Sequence, residues 1–457
     1  MTAVETWSAP LGADRAQEIC DAVLKLSDAD RTEVAVLARR GEHTRFAGDR
    51  IHQAQDITEW SVWVRAVADG GTGRAMTSDL DDLDTTVRRA VLAARGDSGP
   101  ATAVNGATEE PVVDTALWDP EVAVFDAGVR SELARRAVAA GQAVGAEVAG
   151  VVARAVTEMA VATSAGRRRY AAATEVGGGL TAAIDDGSSH WVDLDRRVAV
   201  LDLPGATARV VANAQRMCGR QILEPGTYDV VLGPIAVGGL LESVGSFGFT
   251  GASLADGTGV VAVRAGEQVA GDDITLLDDA AAARGLPIPF DAEGTDKQRV
   301  ALIDRGRIGG VVTDLATASR LARPSTGHGH IMRESPPAAT PANLVLRAGD
   351  SSIEELIAGV ERGVYVERFW YLRVVDPIRT TLTGVARDAV WRIENGRLTT
   401  PLTGGRWTES VLGVLSRVDG ISRGVATQPL ANVWNGAVTA PALRVRGFRF
   451  GSATTRP

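Results

Sequence analysis

Sulfur and imidazole are scarce in this chain. Its 457 residues include two cysteines, Cys20 and Cys218, and five histidines. Two cysteines exclude a disulfide framework. So few His and Cys also leave little for the usual zinc donor sets. Lysine is nearly missing: of 48 basic residues only Lys25 and Lys297 are lysine. With so much Ala and Val, that skew reflects a GC-rich genome rather than function. Basic charge is not in excess either. The formal net charge is −9, which argues against binding nucleic acid through bulk charge. Long apolar runs are absent: the longest uncharged one, about residues 230–241, is far short of the ~20 residues a membrane span needs. Residues 1–7 show no basic and apolar regions of a signal peptide. A cytoplasmic protein that engages neither membrane nor nucleic acid is the expectation.

What remains is ordinary for a globular chain: 45% hydrophobic residues, 23% charged, mean hydropathy +0.02. At roughly 150 residues per domain the length allows two or three domains. Residues 14–27 carry Ala16, Ile19, Val23 and Leu26 at spacings of three and four, an amphipathic helix. Residues 32–38 and 60–67 read as strands, with Asp69-Gly70-Gly71 as a turn and a helix through Leu83, Val87, Ala90 and Val91. Residues 96–117 read as a loop or linker. A second helix-and-strand unit follows. Arg167-Arg168-Arg169 within it reads as a solvated hairpin end, and Pro204 opens a helix. From Gly226 onward short apolar runs alternate with Gly, Pro and Asp, the pattern of a β-rich domain. The reading is α+β, with N-terminal helix-and-sheet layers at 1–100 and 118–222. A curved, largely antiparallel or barrel-like sheet fills 226–457, and the chain is expected to dimerise, with a different chain in the cell or with itself when expressed alone.

No H-E-x-x-H, G-x-S-x-G or Cys-x-x-Cys occurs. Asp291-Ala292-Glu293-Gly294-Thr295-Asp296 places three carboxylates in six residues. They are suited to holding a cation or to acid–base work, or form an acidic surface loop. His328-Gly329-His330 puts two imidazoles on one face of a strand, two donors of a metal site or part of a polar loop. Trp370, Tyr371, Trp391, Trp407 and Trp434 read mainly as core, or as the lining of a cleft. Cys20 reads as a small buried hydrophobe.

Taken in order, these pieces resemble the TldD/PmbA (TldE) family of peptidase subunits. In the first unit the resemblance rests on Arg45-Phe46-Ala47, Ile51, Gln53 and Thr77-Ser78-Asp79-Leu80. Later it rests on Phe290-Asp291-Ala292-Glu293-Gly294, Leu302-Ile303-Asp304-Arg305-Gly306 and Thr313-Asp314. Ser325-Thr326-Gly327, Asn343-Leu344, Glu354-Glu355-Leu356-Ile357, Gly363-Val364-Tyr365-Val366 and Ile393-Glu394-Asn395-Gly396 continue it. The family has two branches that pair. The TldD branch carries an H-E-x-x-x-H helix whose histidines, with a distant cysteine, bind zinc, and whose Glu serves as general base. The matching place here reads Leu241-Glu242-Ser243-Val244-Gly245-Ser246. Both ligand positions, Leu241 and Ser246, are changed, and no cysteine follows Cys218. Only Glu242 remains, as a vestige of the catalytic position.

The resemblance therefore implies a TldE-like subunit that holds no cofactor of its own. It implies zinc in a TldD-like H-E-x-x-x-H partner, and a shared chamber for peptide substrates or peptide-derived precursors. Asp291, Glu293, His328 and His330 would then face that chamber. Thr380-Thr381-Leu382-Thr383-Gly384-Val385-Ala386-Arg387 departs from the family's usual Gly-rich stretch. That departure suggests a specialised member, for example one that processes a peptide natural product. Two other readings stay open: an independent enzyme using Glu242, Asp291, Glu293, His328 or His330, and a homodimer that captures extended peptides along a strand edge.

Overall fold

The computed structural model describes residues 8–99, 101–107, 112–114, 117–330, 338–430 and 435–451. Trp434, residues 1–7 and several positions of the 96–117 tract lie outside the described residues.

The N-terminal half is built on one seven-stranded sheet. Strand Arg31–Ala47 pairs antiparallel with Arg50–Ala68 on one side and with Glu147–Thr163 on the other. Gly71–Thr77 extends one edge, and Arg168–Ile184 continues the other, itself paired with Val112–Asp114 and Gly187–Asp195. The stretches read as two units thus share a sheet, because the linker between them separates their strands in sequence but not in space. Alternation assigns its faces. Val34, Val36, Val62 and Val64 meet the helices Ala13–Leu26 and Leu83–Gly96 through Ala16, Ile19, Val23, Val87 and Val91. Cys20 is fully buried in that layer, and burial pushes its thiol up to about 12. Helices Ala127–Gln142 and Leu203–Arg216 cover the remainder of this face. The opposite face, with Ala35, Leu37, Met159 and Val161, packs on Ile288, Phe290 and Ala292 of the C-terminal half.

The C-terminal half is a twelve-stranded sheet that closes on itself at its centre. Strand Gly226–Leu232 pairs with Arg362–Asp376, that with Thr381–Glu394, that with Arg406–Ser410, and that with Ala437–Phe450. Ala437–Phe450 returns to Gly226–Leu232 and completes a five-strand ring. One contact in the ring is parallel and the rest are antiparallel. Phe369, Trp407, Phe448 and Phe450 fill it with centroid spacings of 4.6 to 5.9 Å, offset ring geometry that adds to plain burial. Trp391 and Trp407 are core residues as expected, whereas Trp370 and Tyr371 stand in solvent.

Candidate functional site

Helix Pro234–Gly248 leaves the ring directly after strand Gly226–Leu232. Gly233 is extended at its N-cap and Pro234 sits in the first turn, where a missing N–H costs nothing. Ala236, Val237, Leu240, Leu241 and Val244 form its buried stripe. Gly245 sits beneath strand Asn343–Leu346: a Cβ at 245 would come within 2.9 Å of Leu344 Cδ1. The helix runs unbroken through the six residues matched to the zinc motif.

That regularity decides what the motif positions can do. At 100° per residue, Glu242 and Ser246 share a face and Leu241 does not. Leu241 is 0% exposed inside the core. Glu242 and Ser246 line a groove of about 290 Å³, with Thr250, Ala252, Thr340, Pro341, Leu344 and Leu430 among its walls. The Ser246 hydroxyl donates to the Ser243 carbonyl at 2.9 Å. Hence the two positions that hold zinc in the resemblance offer one hydrocarbon pointing the wrong way and one hydroxyl already engaged within the helix. Among the described residues no three His, Cys, Asp or Glu side chains converge as a metal site. The donor set here does not fit zinc.

The other sequence candidates do not line the groove, and Glu293 lines a separate small cavity with Glu33, Trp63 and Arg65. Asp291 is 0% exposed and Glu293 nearly so, so the expectation of an acidic surface loop does not hold. Asp291 Oδ1 accepts the N–H groups of Glu293 (3.0 Å) and Thr295 (2.9 Å), and Oδ2 accepts that of Gly329 (2.7 Å). Burial nevertheless pushes Asp291 up to about 7. Glu293 is raised well above the usual range, first by burial and then by Asp291. Its Oε2 accepts from Leu315 N–H (2.7 Å), and its carbonyl accepts from the Asn105 amide (2.7 Å). Arg65 approaches it at 3.8 Å while forking onto Glu33 at 2.9 and 2.6 Å. The acidic loop is therefore the plug that joins the two halves of the chain. Its nearby basic cluster is not a solvated hairpin end: Arg169 is buried and bonds Asp296 at 2.5 Å, and Arg168 bonds Asp21 at 2.8 Å.

His328 is fully buried. Its Nε2 faces Asp278 Oδ1 at 2.9 Å, and its Nδ1 lies 2.9 Å from Thr326 Oγ1. Burial lowers the imidazole's pKa. The Thr326 carbonyl lies 2.8 Å from Nδ1 as well, so both ring nitrogens face acceptors, the Asp278 carboxylate at Nε2 and this carbonyl at Nδ1. Asp278 Oδ2 also accepts from Ala342 N–H (2.6 Å) and Asn343 N–H (3.0 Å). Burial opposes its charge, yet Lys297, His328 and these donors hold the carboxyl below its ordinary value. His330 is 6% exposed, its Nε2 has no partner among the described residues, and burial lowers its pKa strongly. The two imidazoles meet edge to face at 6.1 Å. Neither ring lines the groove. Instead Gly329–His330 pairs with Ala338–Ala339, and Thr340 N–H bonds the His328 carbonyl. The Asp278–His328 pair thus anchors the groove wall at 338–343 from behind. Asp278 was missed in sequence, where it stands as one of two aspartates ending an apolar run, Ile274-Thr275-Leu276-Leu277.

The whole arrangement has counterparts. Superposed on TldE from Thermococcus kodakarensis, the fold matches at a TM-score of 0.82, with 20% identity over 95% of this chain and 99% of that one. At that identity the match shows a shared fold. Family models for the PmbA/TldA metallopeptidase domain 1 and C-terminal domain match residues 32–94 and 225–452. The chain belongs to the TldD/PmbA (TldE) family. Among curated relatives, it is 27% identical to a metalloprotease TldD homolog of Buchnera aphidicola over 50% of this chain and 44% of that protein. It is 24% identical to a zinc metalloprotease TldD homolog of Saccharolobus solfataricus over 47% of this chain and 49% of that protein. The chain spans under half the length of these relatives. Among the described residues no helix is long and apolar enough to cross a membrane.

Proposed function

We propose that this chain is the zinc-less, TldE-like subunit of a two-chain metallopeptidase. It contributes a wall of the peptide chamber while a TldD-like H-E-x-x-x-H subunit supplies zinc and the hydrolytic step. The observation that carries this reading is the orientation of the motif helix, with Leu241 in the core and the Ser246 hydroxyl spent on Ser243. Glu242 still lines the groove, but among the described residues no set of metal donors converges there, and without a bound metal the carboxylate has no activated water to deprotonate. What the groove offers is shape. Ala252, Ala338, Ala339, Pro341, Leu344 and Leu430 form apolar walls, with the hydroxyls of Thr250 and Thr340 among them, the mix that suits an extended peptide.

The experiment is to reconstitute the pair and compare peptide turnover with Glu242→Gln in this chain against the same change in the partner's motif. Retained turnover with the first and abolished turnover with the second is the expected result. Loss of turnover with Glu242→Gln in an intact assembly would overturn the reading in favour of an active site on this chain.

A further inference from the structure

Around Glu293, buried carboxyls outnumber the cations free to serve them. Glu33 of strand Arg31–Ala47, Asp291 on the same loop and Asp314 at the N-cap of helix Leu315–Arg320 all face Glu293. All four acids are at least nine-tenths buried. The cations nearby are already engaged. Arg65 of strand Arg50–Ala68 forks onto Glu33 and stays 3.8 Å from Glu293 Oε1. Arg169 bonds Asp296, and Arg167 donates to the Gly106 and Gly294 carbonyls at 2.9 and 3.3 Å. Lys297 faces Asp278 and Asp291. On the strand packed against the loop, His328 is spent on Asp278 and burial holds the His330 imidazole low.

A carboxylate left unpaired at this depth is costly, and taking up a proton is the usual escape. The hydrogen bonds show which oxygen takes it. Asp291 accepts three N–H groups on its two oxygens, an arrangement that favours the ionised form. Glu293 accepts one, from Leu315 on Oε2. Among the described residues no hydrogen bond reaches Oε1, whose nearest cation is Arg65. Burial and the charges of Asp291 and Glu33 push the same way, raising Glu293 above its ordinary value. Glu293 also borders a cavity of about 30 Å³ whose lining includes Trp63 and the exposed Arg74. That is room enough for water to carry a proton in and out.

The same loop holds the wall of the groove. Asp291 Oδ2 accepts from the Gly329 N–H at 2.7 Å, and the Ala292 N–H donates to the Gly329 carbonyl at 2.9 Å. A Cβ at Gly329 would come within 3.1 Å of Glu293 Cδ, so the Glu293 side chain lies against that backbone. Among the described residues Gly329–His330 pairs with one strand, Ala338–Ala339. Residues 338–341 in turn line the groove opposite Glu242. A ladder two residues long is the kind of element that opens locally before the fold does.

We propose that Asp291 and Glu293 form a proton-operated latch on the groove. With one proton between them, on Glu293, they clamp strand Gly329–His330 and the wall it carries; when that proton leaves to solvent, the wall loosens. The latch regulates the peptide groove and so rests on the reading of that groove given above. Its sign follows from linkage. A carboxyl raised in the folded state contributes fully at low pH, and the contribution is lost as pH rises through the folded value. The second charge beside Asp291 and Glu33 is then relieved by water entering the plug, and the short ladder yields first.

The test is hydrogen exchange of the full-length chain from pH 6 to 10, corrected for intrinsic rates. The probe is the Thr340 N–H, which bonds the His328 carbonyl at 3.2 Å. In the wild type its protection should fall by up to about tenfold per pH unit above the titration, the effect of one proton. Glu293→Gln is neutral at every pH and still accepts from Leu315, so its Thr340 protection should stay level. Asp291→Asn sets an amide N–H against the Gly329 N–H and should leave Thr340 poorly protected throughout. Amides of helix Leu83–Gly96, away from the plug, should respond alike in wild type and Glu293→Gln, which separates the latch from global loosening. Wild-type protection that stays level to pH 10 overturns the latch without any variant. A fall that is the same in Glu293→Gln overturns it as well. Neither result touches the chamber reading, which stands or falls on the Glu242→Gln turnover experiment.

Discussion

Replacing Glu367 by Gln should flatten the pH dependence of this protein's stability. Glu367 lies where strand Gly187–Asp195 of the N-terminal sheet meets the C-terminal ring. Its Oε1 accepts from Ser189 Oγ (3.0 Å), and its Oε2 from the N–H groups of His190 (2.7 Å) and Ala389 (3.5 Å). Burial, with help from Asp388, pushes the carboxyl from 4.5 up to about 8. A carboxyl raised in the folded state stabilises fully below its unfolded value. That contribution is then lost as pH rises through the folded one, because the native state must either hold a proton or bury a charge. At 1.36 kcal/mol per unit, a rise from 4.5 to about 8 is worth about 5 kcal/mol as an upper bound. Most of it disappears between about pH 5 and 8. The amide of Glu367→Gln has no such titration. It can still accept from His190 and Ala389 with its oxygen and donate to Ser189 Oγ with its nitrogen. Burial pushes His190 down to about 4, so its ring is neutral through this window. Asp291 titrates equally in both proteins and cancels in the difference. The assay is guanidinium unfolding at several pH values from 5 to 9. The variant should match the wild type near pH 5 and gain on it by several kcal/mol by pH 9. Parallel stability curves across that range would refute the reasoning.

Other consequences follow from the same geometry. Leu241→Ala should cost about 2–5 kcal/mol, as a fully buried leucine truncation does, whereas Ser246→Ala should stay within about 0.5 kcal/mol; chemical denaturation reads both. Asp278→Ala removes the acceptor of His328, Ala342 and Asn343 at once and should destabilise by about 3–5 kcal/mol. Hydrogen exchange should show loss of protection at Ala342 and Asn343 first. Gly245→Ala forces a methyl against Leu344 and should cost about 1–3 kcal/mol by overpacking, with Leu344→Ala in the same chain restoring part of it.

Local patterns were the most legible part of the fold. The three-and-four spacing of Ala16, Ile19 and Val23 and the alternation of Val62, Val64 and Ala66 gave the first helix and the strand at 60–67 their correct faces. Periodicity reports burial on one side of an element, and these elements are buried on one side. Pairing over long sequence distance was not legible. Nothing local says that Arg31–Ala47 pairs with Glu147–Thr163, so the sheet that joins the two units could not be read. The polar residues failed for a related reason. Asp291, Glu293 and Arg169 are buried, but partners from the other half of the chain close over this region, Arg65 and Asn105 at Glu293 and Asp296 at Arg169. Charged residues are mostly exposed, and sequence carries no sign of the exceptions. The motif helix was read correctly as a helix after Pro234. The sequence also showed which ligand chemistry is missing at Leu241 and Ser246. Positions five apart on a regular helix already sit about 140° from each other; the structure added that the helix stays regular through Gly245 instead of bending there.

The central claim is that the metal belongs to a partner and not to this chain. Metal analysis of the chain purified alone, and of its complex with the H-E-x-x-x-H subunit, tests it most directly. The account predicts no stoichiometric zinc on the chain alone, and one zinc per pair, lost when the partner's first motif histidine is replaced. Stoichiometric zinc on this chain alone, retained after Leu241→Ala and lost with Glu242→Gln, would contradict it.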